Sequence, residues 1–435
     1  MLQAIVGGLL IDGTGRDPIG NGAVIIDGGR VVAAGPAGTV GIPRGARIFD
    51  AAGRTILPGL VDCHVHCTYR SREVADHLRN PSTYNVLRST SILNATLEGG
   101  VTTVRDTGGA DAGFRKAVEE GFVAGPRLII AIAMVSQTGG HGDCWVPAGL
   151  RLPKRTWLPN NIADGVDEVR KVARELLMAG ADFLKVCTTG GITSLTDDYG
   201  EPQFTVEEIQ AAVYEAATRR KRVAVHAEGL AGIKNALRAG VYSIEHGWFL
   251  DEECVDLMVR QGTWWVPTLA LVPLSRERRA KDPAWGTVQL AEEDRKDDEI
   301  YRRQLEQKPL WRYAVERNVN IAMGSDQSHR LLTGQNLIEL AFMVDALGLS
   351  PMQAIRAATG AAADCLERPE LGTLAPGKLA DAVVVDGDPL ADIAILGDPA
   401  RIHLVVKAGV VYKDRLHEDR VREAGGAPAG ARRGV

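Results

Sequence analysis

Between residues 58 and 367 the chain repeats one pattern, a short apolar run followed by an amphipathic helical stretch. The runs fall at Ile56–His66, Thr102–Asp106, Arg127–Val135, Phe183–Thr188, Val223–His226, Ser243–His246, Trp264–Thr268 and Asn320–Asp326. Parallel strands need a long crossover, usually a helix, so strand–helix repetition predicts a parallel α/β sheet. Eight units in roughly 300 residues fit a closed (β/α)8 barrel of the TIM type better than an open sheet. Such barrels carry their chemistry at the carboxyl ends of the strands. The polar residues fall there: His64 and His66, Asp106, His141 shortly after the third run, Lys185, His226, His246 and Asp326.

The flanks read differently. Ala4–Val6, Ala23–Asp27, Arg30–Ala34 and Arg47–Asp50 are short strands punctuated by Gly-Gly, Asp-Gly and Gly-Pro turns. Leu371–Pro376, Asp381–Val385, Ile402–Lys407 and Val410–Tyr412 repeat that style at the other end. The two segments are expected to pair as one small β-sandwich built from both termini. The expected division is 1–57 for its N-terminal part, 58–367 for the barrel, 368–418 for its C-terminal part and 419–435 for a flexible tail. From Ser275 to Asn318 the chain is densely charged, which predicts exposed helices with a solvated surface.

Composition narrows the partners. Net charge is −5 without a basic cluster, so no nucleic-acid partner is expected. No apolar run reaches the roughly 18 residues of a membrane span, and the N-terminus lacks a signal-peptide pattern. A cytoplasmic protein with no membrane partner is expected. The six cysteines are scattered and are expected to be reduced thiols.

His64 and His66 are two residues apart on a strand, so they share one face, while Cys63, Val65 and Cys67 share the other. Neutral imidazole is a common metal ligand, and two converge here. A Cys/His metal site is disfavoured, because the alternation turns the thiols away. His226 and His246 each end an apolar strand, where a lone histidine is more often simply packed; four together point to metal. Asp326 could be a turn or N-cap aspartate, or could hold a metal and accept a proton from water. Lys185 sits on a strand end where an unpaired ammonium is costly. A neutral amine there can react with carbon dioxide to form an anionic, bidentate carbamate.

These residues carry a resemblance. The order His-x-His, Lys, His, His, Asp at successive strand ends, with Gly-Thr-Leu-Ala-Pro-Gly-Lys-Leu-Ala-Asp-Ala-Val at 372–383, resembles the amidohydrolase superfamily over nearly the whole chain. Within it the chain is similar to the Xaa-Pro dipeptidases, N-acyl amino acid hydrolases and imidazolonepropionase-like proteins. The resemblance implies a binuclear hydrolase of amide bonds, with two divalent ions, usually zinc. One would be held by His64, His66 and Asp326, the other by His226 and His246, with carboxylated Lys185 bridging. Bridging hydroxide would attack the amide carbonyl while Asp326 moves the proton to the leaving nitrogen. His141 would contact substrate. Homo-oligomers are common among relatives.

The implied substrate is a dipeptide, Xaa-Pro-like, or an N-acyl amino acid. Its carboxylate needs a donor, for which Tyr199, Arg105 and His329 are candidates. Trp145 and Trp248 follow strand ends and could wall an acyl or prolyl group, or pack in the core. Competing expectations are a lactonase or cyclic-amide hydrolase on the same site, the latter using Glu228, and a non-catalytic scaffold of the same fold.

Overall fold

Pro58 and Gly59 split the longest apolar run into two strands of different sheets. The computed structural model describes residues 1–69, 79–143, 145–146, 149–151, 157–192, 194, 197–281, 290–328, 331 and 333–416. Strands β1 (Gln3–Leu10), β2 (Ile19–Asp27), β3 (Arg30–Pro36), β4 (Arg47–Asp50) and β5 (Arg54–Pro58) come first. Then follow β6 (Leu60–Val65), β7 (Val101–Asp106), β8 (Arg127–Ile130), β9 (Met134–Val135), β10 (Trp145–Val146) and β11 (Leu150–Arg151). Next are β12 (Leu184–Cys187), β13 (Val223–Ala227), β14 (Ser243–His246), β15 (Trp264–Val266) and β16 (Asn320–Ile321). The chain closes with β17 (Ala382–Asp386), β18 (Ile402–Lys407) and β19 (Val410–Asp414).

At the break, Pro58 offers no N–H to a ladder, and Gly59 N donates to Asp381 O at 2.9 Å. A Cβ on Gly59 would stand 2.2 Å from Thr102 Oγ1 and 2.8 Å from Asp381 Cβ. Only glycine lets the backbone cross there. Gly59→Val is expected to cost about 3 kcal/mol through overpacking, read as a lower urea midpoint. An unchanged midpoint would show that the crossing has room.

The termini meet in one mixed eight-stranded hydrogen-bonded sheet, ordered β19-β18-β17-β5-β1-β2-β3 with β4 on β1. Antiparallel pairing of β17 with β5, from Ala382↔Pro58 to Asp386↔Arg54, joins the two ends of the chain. Strand alternation then sorts the side chains. Ile56, Ala382, Val384 and Leu404 face an apolar cluster with Ile5, Val24 and Phe49. Leu57, Val383, Val385 and Val405 join the main core of the α/β region.

That region is α/β with parallel strands in two sheets, β6-β7-β8 and β9-β12-β13-β14-β15-β16, rather than one continuous ladder. The third expected run breaks at Ala131–Ala133, where Ile132 has a φ of 69°. The eighth shortens to two residues. Both seams between the sheets are nevertheless hydrogen-bonded. Asp182 N donates to Ile130 O at 2.8 Å on one side, and on the other Cys63 N donates to Met323 O at 2.9 Å and Asp326 N to His64 O at 2.8 Å.

The charged segment holds the helices Leu271–Lys281 and Leu290–Glu316. It is not solvated all round, because Lys296, Asp297, Ile300 and Gln304 are buried. Cys63, Cys67, Cys187, Cys254 and Cys365 are buried free thiols. Cys144, His329 and the tail at 417–435 lie outside the described residues. Among the described residues no helix is long and apolar enough to cross a membrane.

Candidate active site

One pocket is lined by His64, His66, Lys185, His226, His246 and Asp326, together with Tyr69, Met134, His141, Ile192, Glu228, Leu271 and Ser328. Strands β6, β9, β12, β13, β14, β15 and β16 and the segments after them deliver these side chains. His64 and Asp326 arrive together because their backbones are bonded across the seam. His64 Nε2 and His66 Nε2 each lie 3.6 Å from Asp326 Oδ1.

The opposite nitrogens are fixed by oxygen acceptors. His64 Nδ1 donates to Glu245 Oε2 at 2.8 Å, and His66 Nδ1 to Gly108 O at 2.9 Å. Thr268 Oγ1 donates to Pro267 O at 2.8 Å, so it accepts from His246 Nδ1 at 2.7 Å. His226 Nε2 donates to Gly190 O at 3.0 Å. The lone-pair nitrogen is therefore Nε2 for His64, His66 and His246 and Nδ1 for His226, that of His66 lying 3.3 Å from Thr107 Oγ1. Burial, reinforced by neighbouring cationic groups, holds His64, His226 and His246 well below the usual histidine range, in the neutral form that binds metal.

Two groups of candidate donors result, His64–His66–Asp326 and His226–Glu228–His246, with the donor atoms of each within 4.8 Å of one another. Donors about 2.1 Å from one tetrahedral ion stand roughly 3.4 Å apart, close to the 3.6 Å from Asp326 Oδ1 to each histidine of the first group. Lys185 is the second sign of an added group. Only 1% exposed, its Nζ has no hydrogen-bond partner among the described residues, and burial lowers its ammonium from 10.5 to about 8. The residues fit a divalent metal centre.

Backbone strain marks the same place. His246, Thr268 and Asp326 have φ of 68°, 49° and 52°, a left-handed conformation costly for residues other than glycine. At His246 this breaks strand alternation, so the adjacent Glu245 and His246 both reach His64, by a 2.8 Å bond and a 5.0 Å ring contact. Alternation alone places them on opposite faces, which hid Glu245 from sequence reasoning. Arg105 was equally misleading. Instead of facing the mouth it lies inside, 4% exposed, donating to Cys63 O at 2.6 Å and Glu245 Oε1 at 2.6 Å.

His141 lines the pocket, its ring stacked on His226 at 4.2 Å and its Nδ1 3.8 Å from Asp197 Oδ2. Tyr199 does not line it; its hydroxyl meets Glu299 and Arg303 of the long helix. Trp248 is fully buried, bonded to Pro267 O and packed behind His246, and Trp145 is 40% exposed away from the pocket. Asp106 accepts from the N–H groups of Cys67, Gly108 and Ala110 and so shapes the loop after β7.

Paired donor groups at the carboxyl ends of parallel strands, beside a buried amine, define the site of a metal-dependent hydrolase. The chain belongs to the amidohydrolase family, which its residues 55–412 match, and is a hydrolase of C–N bonds. Ochratoxinase of Aspergillus niger is 31% identical over 432 residues, spanning 94% of this chain and 86% of that enzyme. A prolidase structure complexed with N-methylphosphonate-L-proline has a TM-score of 0.85 at 33% identity, covering 95% of this chain and 100% of that one. Imidazolonepropionase of Cutibacterium acnes is 26% identical over 427 residues, spanning 92% of this chain and 91% of that enzyme.

Proposed function

We propose that the protein cleaves the amide bond of an Xaa-Pro-like dipeptide or an N-acyl amino acid, using two divalent ions, zinc foremost, in this pocket. The observation that carries this is the buried Lys185 amine, without a hydrogen-bond partner among the described residues, beside two donor groups. Carboxylation resolves the conflict. The neutral amine's lone pair would form an N–C bond to carbon dioxide, one N–H proton would leave to solvent, and the resulting anionic carbamate would add carboxylate oxygens to the donors available to divalent metal. His64, His66 and Asp326 would hold the first ion, and His226 and His246 the second, where Glu228 stands as a further donor.

Divalent metal supplies Lewis acidity, polarising a carbonyl and lowering the pKa of a water from about 15.7 towards about 7. Asp326 then accepts the water proton and delivers it to the departing nitrogen. His141 donates to a substrate carbonyl or carboxylate oxygen. Met134, Ile192, Leu271 and Tyr69 offer apolar wall for the acyl or prolyl group. The hydrogen-bonded seams support one (β/α)8 barrel over 58–367, flanked by the sheet of the termini. The prolidase ligand supports the substrate class, because a phosphonate on the proline nitrogen puts a tetrahedral anion where an amide carbon stands in the transition state.

The test is amino-acid release by zinc-reconstituted protein from Xaa-Pro dipeptides, other dipeptides and N-acyl amino acids, with lactones and cyclic amides as comparators. Release at kcat/KM of about 10⁴ M⁻¹s⁻¹ or more is expected. Turnover of only the comparators would discard this substrate class. Cyclic-amide hydrolysis is the second reading, favoured by Glu228 in the pocket, 3.7 Å from His226 Nε2.

A further inference from the structure

The long helix Leu290–Glu316 meets the active-site wall through one face. Lys296, Glu299, Ile300 and Arg303 follow the i, i+3, i+4, i+7 spacing of a single helical stripe. Lys296 is 3% exposed, and its Nζ donates to Asp197 O at 2.6 Å and Ser194 O at 2.9 Å, about a hundred residues away in the chain. Among the described residues it has no carboxylate within ion-pair distance. Burying an ammonium against carbonyls alone is costly, so the contact holds only where the surroundings over-determine it. Two further anchors do so. Arg303 donates to Tyr199 Oη at 2.8 Å and lies 4.1 Å over the Phe249 ring, and Tyr199 donates to Glu299.

The clamped loop backs His141. Asp197 accepts from Gly191 N at 3.2 Å and Gln203 Nε2 at 3.0 Å, and its carboxylate faces His141 Nδ1 at 3.8 Å. Gln203 Oε1 accepts from His141 N at 3.1 Å. Gly191 abuts the ring so closely that a Cβ there would be 2.4 Å from His141 Cε1. His141 is thus wedged between this loop and the His226 ring. We infer that Lys296 is a positioning residue, which holds the loop carrying Asp197 and through it sets His141 against the substrate.

The part of this inference that concerns substrate rests on the amide-hydrolase function proposed above; the part that concerns the loop does not. Lys296→Met keeps the apolar stem and removes the three donors. In the full-length, zinc-reconstituted protein it is expected to speed amide hydrogen exchange in peptides covering 188–203 by at least tenfold, with peptides of the terminal sheet unchanged. KM for the best substrate of the panel should rise roughly 10-fold with kcat within threefold and metal content unchanged, the pattern of lost substrate binding. Asp197→Asn, which leaves Lys296 in place, should raise KM in the same way, and it decides the question if the Lys296 variant does not fold. Exchange at 188–203 like that of the wild type overturns the clamp. Faster exchange with KM unchanged, or loss of metal together with activity, overturns the positioning of His141. If the wild type turns over no member of the panel, the proposed function fails, and the exchange measurement still decides the clamp.

Discussion

Lys185→Ala is expected to lower kcat/KM by on the order of 10³-fold or more, and to lower metal content below two ions per chain. The reason is specific to the site. Lys185 is 1% exposed and its amine has no hydrogen-bond partner among the described residues, so the solvation lost on burying its ammonium outweighs the attraction of Glu245 and Asp326. Burial lowers its pKa from 10.5 to about 8, which leaves a neutral fraction able to take up carbon dioxide. A lysine serving only as packing would behave differently: its replacement by methionine would leave activity intact. The metal-free Lys185→Met variant is expected to unfold at a urea midpoint no lower than the wild type, because the buried amine is removed without loss of volume. Partial rescue of Lys185→Ala by millimolar formate or acetate would identify the missing group as a carboxylate. Turnover close to wild type in Lys185→Ala would end the carbamate proposal.

Glu245→Leu is expected to be among the most destabilising single changes in the chain. Glu245 is fully buried, accepts from Arg105 Nη2 and Ser243 Oγ at 2.6 Å each, and accepts His64 Nδ1 at 2.8 Å. Removing it leaves a guanidinium inside the strands without its counter-charge, a loss of about 3–5 kcal/mol. A urea midpoint shifted by less than about 1 kcal/mol would show that the pair is wet and relaxed. The same change frees the His64 tautomer, and loss of such a supporting acceptor typically costs roughly 10–100-fold in metal affinity. The double variant Arg105→Leu/Glu245→Leu separates the two effects. Stability should recover most of the way, since no charge is left unpaired, whereas metal affinity should stay low because His64 has still lost its acceptor.

The site's membership was written in the order of the chain. His66, His226, His246 and Asp326 end short apolar runs while His64 and Lys185 lie within theirs, and parallel strands align their carboxyl ends, so all six gather into one pocket. The pairing of the two ends of the chain was legible for the same kind of reason: alternating apolar residues on short strands at both termini have no partner face nearer than one another. What local pattern could not determine lies where tertiary constraint overrides it. Gly59 divides what reads as one strand, because Thr102 and Asp381 crowd the crossing. His246 turns left-handed, so Glu245 joins a site that strand alternation would deny it. Arg105 carries the charge expected of a carboxylate receptor, yet its neighbours in space, Cys63, Ser243 and Glu245, draw it into the interior. The charged helix reads as solvated surface until the loop after β12 buries Lys296. Spacing along a chain records which face a residue takes within its own element. The partner waiting for a charge, and the backbone strain accepted to reach it, exist only once distant segments pack together.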